Sequence, residues 1–281
     1  MLLRLFVQLR LAVWKAISHN GFTMAKAAAY SAILSLFPAV LVVTTLLALT
    51  PETNSFSGEI RAGFDEILPP DTMALVQSYF QMNHGRSMQV VWSASFVSVF
   101  AAMGVLLSLM EGFRRAHDLS PHSWGFWRER AVALALIPSC FVPMFFATLM
   151  VAFGHQIERW MIVNAYHDLR DYVLIAARIA RWLVAVSTTV AVLTLIYHFG
   201  LPGTRGWKRV LPGALLAAIT WFLATLIFGW YVTRHADYSL VYGPLGAGVA
   251  TLVWLYITSL SVLMGAEFNA QVFPLSTMPS K

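Results

Sequence analysis

The stretch YGPLGAGVATLVWLYITSLSVLMGAEFNAQ, residues 242–271, decides the fold. From Pro244 to Phe268 it is almost wholly apolar, and about 20 such residues cross the hydrocarbon core of a bilayer as a helix. It opens on glycines and a proline and closes on Glu267 and Asn269. Proline in the first turn of a helix costs little, because its missing N–H has no helical partner there. A carboxylate is another matter: at a helix centre it costs about 2.5–3.5 kcal/mol on insertion scales, less near an interface. Glu267 is therefore expected to face the inside of a bundle, near one end, and to find a donor or a cation there.

Working outward, five more stretches have the same character: residues 27–49, 90–110, 131–153, 176–199 and 210–232, with 244–268 as the sixth. The composition agrees. The chain is 58% hydrophobic and 11% charged, whereas a soluble domain carries about a quarter charged residues. The predicted fold is all-α, a polytopic bundle of six transmembrane helices over residues 27–271. Residues 1–26 precede it, and there Leu2, Phe6, Leu9, Val13 and Ile17 share one helical face while Arg4, Gln8 and Lys15 lie opposite. That pattern predicts an amphipathic helix lying on the membrane surface. The longest connection, residues 50–89, is acidic and carries Pro69-Pro70, and part of it reads as an amphipathic helix. Residues 272–281 form a short tail. The lone Cys140 forms no intrachain disulfide.

Of the 19 basic residues, 12 fall on the side of the two termini and 7 on the other. The positive-inside rule then places both termini in the cytoplasm and the 50–89 loop outside. For such a chain the expected location is a bacterial inner membrane, crossed several times. The basic residues are dispersed and accompany no nucleic-acid motif, so lipids rather than nucleic acids are the expected partners. The small residues permit an oligomer without requiring one.

At this level of detail the chain resembles a known family. AAAYSAILSLFPAVLVVTTLLAL (27–49), VVWSASFVSVFAAMGVLLSLMEGFRRAHDLSPHSWGFWRER (90–130) and LPGALLAAITWFLATLIFGWYV (211–232) followed by YGPLGAGVATLVWLYITSLSVLMGAEFNA (242–270) are similar to segments of the YihY/BrkB family of bacterial inner-membrane proteins. The resemblance covers nearly the whole chain. It implies a six-span bundle, with roles in envelope or lipid transport and in resistance to host killing as the functional expectations. It also implies that the ribonuclease BN label once given to members is a misassignment. Family members often carry Asn and Tyr where this chain has Glu111 to His117, so no role for Glu111 follows from the resemblance.

Several residues stand out as candidates. Glu111 and Arg115 are four apart with the acid first, the better order for a helical ion pair. With Glu267 and Asn269 they are expected to form a polar cluster at the cytoplasmic end, as a structural lock or as a substrate or proton site. Arg178 and Arg181 open the fourth span on the outer side, where they either snorkel to headgroups or hold an anionic group such as a lipid phosphate. Stripes of small and weakly polar residues, namely Ser31, Ser35 and Pro38, then Ser93, Gly104 and Ser108, then Gly243, Gly246 and Gly265, either line a cavity or bring helices close together. His117, Asp118, His122, His235 and Asp237 match no metal-binding spacing, and no cofactor motif is present. The acidic residues are scattered over loops of opposite sides, which argues against metal-assisted phosphodiester cleavage. The expectation is a non-enzymatic membrane protein: a transporter, flippase or exporter of a lipid-related or amphiphilic substrate. The alternative is a structural, envelope-organising protein.

Overall fold

The computed structural model describes residues 2–48, 88–120, 123–164, 170–203, 206–234 and 246–274. These form seven helices: α1 (Leu2–Ser18), α2 (Gly21–Ala48), α3 (Met88–Ala116), α4 (Phe126–Asn164), α5 (Arg170–Phe199), α6 (Trp207–Arg234) and α7 (Gly246–Val272). Helices α2 to α7 are long and apolar enough to cross a membrane. A helix is the natural form for such segments, since hydrocarbon offers the backbone no hydrogen bonds and a helix satisfies its own. It also carries Pro38, Pro138, Pro143 and Pro212 within helices that continue past them. Helix α4 has 39 residues, about 58 Å at 1.5 Å per residue, and so outruns a core of about 30 Å.

Polarity is reversed relative to a soluble protein. Trp92, Phe96, Phe100, Phe146, Leu183 and Ile227 are exposed, while Arg114, His117, Glu267 and Asn269 are buried. The outer belt is apolar because its solvent is lipid.

The six spans form a closed circuit of neighbours, α2–α3–α4–α5–α6–α7 and back to α2, and α7 touches α1 and α3 as well. Buried side chains concentrate at the end where α2 starts and α7 stops, termed the lower end. There Ala25 and Ala28 of α2, Met110 and Phe113 of α3, Ala133 of α4, Tyr197 of α5, Val210 and Ala214 of α6 and Leu263 and Ala266 of α7 form one core. Phe113 meets Tyr197 edge to face, with centroids 5.1 Å apart.

Helices α6 and α7 cross backbone to backbone at Gly213 and Gly265. A Cβ on Gly265 would collide with the Gly213 carbonyl, with the Tyr197 hydroxyl at 2.5 Å and with the Ala217 methyl at 2.8 Å. The crossing is stapled by hydrogen bonds. Gly213 N–H donates to Asn269 Oδ1 at 2.7 Å, Asn269 Nδ2 donates to Val210 O at 2.9 Å, and the Tyr197 hydroxyl donates to Val262 O at 2.6 Å. Helices α2 and α3 are joined similarly. Ser35 Oγ donates to Ser98 O at 3.0 Å and Ser98 Oγ donates to Ser35 O at 3.2 Å. Gly104 makes room for Ser31, whose Oγ would lie 2.9 Å from an added Cβ. The small-residue stripes on α2 and α3 thus serve contact between these helices. Ser93 is exposed, and it and Ser108 bond carbonyls of their own helix.

The sequence expectation of one surface helix over 1–26 is corrected. Helix α1 stops at Ser18, and Asn20, with φ 58°, turns the chain into α2, which starts at Gly21 rather than 27. Asparagine tolerates this left-handed conformation better than most residues. At the corner, Gly21 sits so close to the Ala16 carbonyl that a Cβ would lie 2.7 Å from it. Ala12 and Ala16 turn inward, while Val13, Trp14 and Ile17 remain exposed. The apolar face of α1 therefore points away from the bundle. Gly243, most of the 50–89 loop and the tail beyond 274 lie outside the described residues. Gly246, the first residue of α7, is buried.

Overpacking of a tight contact costs about 1–3 kcal/mol. Gly265→Val is therefore expected to lower the thermal stability of the purified protein by at least that much. Gly248→Ala, with nothing within 4 Å of its Cβ position, leaves it unchanged. Melting in detergent checks both.

Candidate functional site

Two polar assemblies occupy the lower end. The first joins α3 to α4. Arg114 donates from Nη2 to Glu111 Oε2 at 2.6 Å and from Nη1 to Glu129 Oε1 at 2.6 Å, while Arg115 Nε donates to Glu111 Oε1 at 2.9 Å. The guanidinium fork of Arg114 spans two carboxylates, which an ammonium group does poorly. Its side chain is only 5% exposed, against 39% for Arg115. The i, i+4 pair expected from the sequence is present, yet the inward cation is its neighbour. Spacing alone gave no sign that Glu129 of α4 would sit opposite.

The second assembly surrounds Glu267, of which 3% is exposed. Its Oε1 accepts a 2.8 Å hydrogen bond from His19 Nδ1, at the corner between α1 and α2. The other imidazole nitrogen, Nε2, lies 3.6 Å from Asp118 Oδ1. Asp118 sits in a left-handed conformation, φ 53°, just past α3. There Leu119 N–H donates to Arg114 O at 2.9 Å and Asp118 N–H to Arg115 O at 3.1 Å, the double closure of a Schellman cap. Glycine is the usual residue at that position, so the aspartate keeps its carboxylate at a conformational cost.

The four residues expected in one cluster are thus divided. Glu111 and Arg115 belong to the α3–α4 assembly, Glu267 pairs with His19 rather than with either arginine, and Asn269 staples α6 to α7. The reason is azimuthal. Glu267 and Asn269 are two residues apart, and on a helix such residues do not share a face.

The third feature lies on the flank. A groove of about 370 Å³ runs between α4, α5 and α6, lined by Met144, Arg181, Trp182, Ala185, Ala218 and Trp221 among others. Its walls are apolar apart from Arg181 and a few hydroxyls. Thr148 and Thr189 return their hydroxyl protons to carbonyls of their own helices. The indole N–H of Trp221 is buried without an acceptor among the described residues. Of the two outer-side arginines, Arg178 is exposed and Arg181, half-buried, lines the groove.

Breaking a buried pair costs about 3–5 kcal/mol, because it strands the remaining charges, whereas an exposed pair contributes about 0–1 kcal/mol. Arg114→Ala is expected to destabilise the protein by the former amount and Arg115→Ala by the latter, as read from denaturation in mixed micelles.

Comparison with known proteins gives a consistent picture. A family profile described as Virulence factor BrkB matches residues 13–274. The chain is 24% identical to the ribonuclease-like protein YfkH of Bacillus subtilis (strain 168), over 94% of each chain. It is 24% identical to the UPF0761 membrane protein NTHI0384 of Haemophilus influenzae (strain 86-028NP), over 90% of this chain and 91% of that one. With a UPF0761 membrane protein of Azotobacter vinelandii (strain DJ / ATCC BAA-1303) it shares 23% identity over 89% of its own length but only 59% of the relative's. No solved structure matches. With six apolar helices and a family match over most of its length, the chain is a multi-pass bacterial membrane protein belonging to the BrkB family.

Proposed function

We propose that this protein moves an anionic, lipid-related amphiphile between the leaflets of the bacterial inner membrane, without enzymatic chemistry. One observation carries the reading: the groove between α4, α5 and α6 joins a hydrocarbon-like wall to a guanidinium, that of Arg181. Along α5 it extends from Arg181 to Val190, about 14 Å of helix. An acyl chain suits such a wall, and a phosphate suits the planar donors of an arginine. The indole N–H of Trp221 in the same wall, unmatched among the described residues, is a donor that a lipid ester carbonyl would satisfy. Glu111, Glu129 and Glu267 are each held by a cationic or imidazole side chain. They are not gathered around a water-accessible site, so the ribonuclease-like name of the Bacillus relative is not carried over.

The test is transbilayer movement of fluorescent phosphatidylglycerol in proteoliposomes. The wild type is expected to accelerate it, and Ala218→Trp, which fills the groove, to abolish the acceleration. Arg181→Gln is expected to slow it about tenfold or more, the loss of a charge-assisted hydrogen bond of about 1.5–3 kcal/mol. No acceleration by the wild type across anionic and zwitterionic lipids overturns the proposal in favour of an envelope-organising role.

A further inference from the structure

We propose that Asp118, His19 and Glu267 form a proton-transfer path from the aqueous face at the lower end into the bundle, with Glu267 as the proton-binding site. The three side chains are graded in exposure: 76% for Asp118, 19% for His19 and 4% for Glu267. They lie in that order from water to core. The imidazole presents one nitrogen to each carboxylate, Nδ1 to Glu267 at 2.8 Å and Nε2 toward Asp118 at 3.6 Å. A purely structural pair would need only the first contact.

The step is simple. The proton on His19 Nδ1 passes to Glu267 Oε1, and Nε2 takes a replacement proton that Asp118 gathers from water. A turn of the ring, or the return transfer, resets the relay. Imidazole is suited to this work because its two nitrogens accept and release protons near neutral pH.

Two further observations point the same way. The second oxygen of Glu267, Oε2, is buried and has no partner among the described residues. Glu111, by contrast, has both oxygens bonded. A neutral acid is far cheaper to bury than an anion, so a proton delivered to Glu267 meets a site that can hold it. Second, Asp118 occupies a backbone position where glycine costs less, which is strain retained beside a functional group. The charges acting on Glu267 are those of His19, Lys15 on α1 and Asp118. Arg114 and Arg115 of α3 are held by Glu111 and Glu129.

The inference concerns protonation alone and stands whether or not lipid is moved. The test is time-resolved infrared spectroscopy of the purified protein after flash release of a caged proton. A protonated-carboxyl band that vanishes in Glu267→Gln identifies the group. His19→Gln keeps a neutral donor to Oε1 but cannot relay, and is expected to slow the rise of that band about a hundredfold, in line with the usual contribution of a positioned acid or base. Asp118→Gly suits the left-handed backbone, so it tests the carboxylate without endangering the fold, and is expected to slow the rise severalfold. A Glu267 band that rises at the wild-type rate in both variants, or the absence of any Glu267-dependent band, overturns the proposal and leaves a structural ion pair.

Discussion

Hydrocarbon offers no hydrogen bonds, and this requirement organises the lower half of the bundle around α7. That helix is packed by α1, α2, α3 and α6, and its last turns carry Glu267 and Asn269 into the interior. Each polar group must be met by another helix, and each partner fixes a geometry. Asn269 binds the backbone of α6 on one side, and Glu267 binds His19 on another. Once those contacts are made, the Gly213–Gly265 crossing and the corner between α1 and α2 have little freedom left. Apolar packing supplies the bulk of the contact, and the buried polar groups select which arrangement is adopted.

Much of this was legible in the sequence and some was not. Hydropathy identified all six spans, because a run of about 20 apolar residues has few other uses. The expectation that Glu267 faces inward and needs a partner followed from the cost of a carboxylate in lipid. The identity of the partner did not follow. His19 lies 248 residues away, and it reaches Glu267 because the chain turns at Asn20, a corner that the apolar pattern ending at Ile17 did not reveal. Similarly, the i, i+4 rule finds Arg115 but cannot weigh Arg114, whose inward turn depends on Glu129 from α4. Periodicity gives a face; it does not say which helix stands opposite.

The stripes of small residues show the same limit. Ser31, Ser35 and Gly104 are equally compatible with a lined cavity and with close contact, and the folded chain uses them for contact. The groove instead lies where the residues are large and apolar, between α4, α5 and α6, and among the described residues Arg181 is its one cation. Such a feature has no sequence period, since it arises from three helices failing to meet along a line. Arg178 and Arg181 look equivalent in the sequence, and only their azimuths separate an exposed residue from a groove-lining one.

The pairing of His19 with Glu267 also has a consequence for biosynthesis. The imidazole leaves the ribosome 248 residues before the carboxylate. Throughout elongation, α1 and the start of α2 await a partner that does not yet exist. The circuit closes only when α7 inserts between its neighbours, bringing its own buried carboxylate to a waiting base. A chain truncated before that point leaves His19 without Glu267, and α1 and α2 without the helix packed against both. Closure of the lower end therefore waits on α7, which packs against α1, α2, α3 and α6.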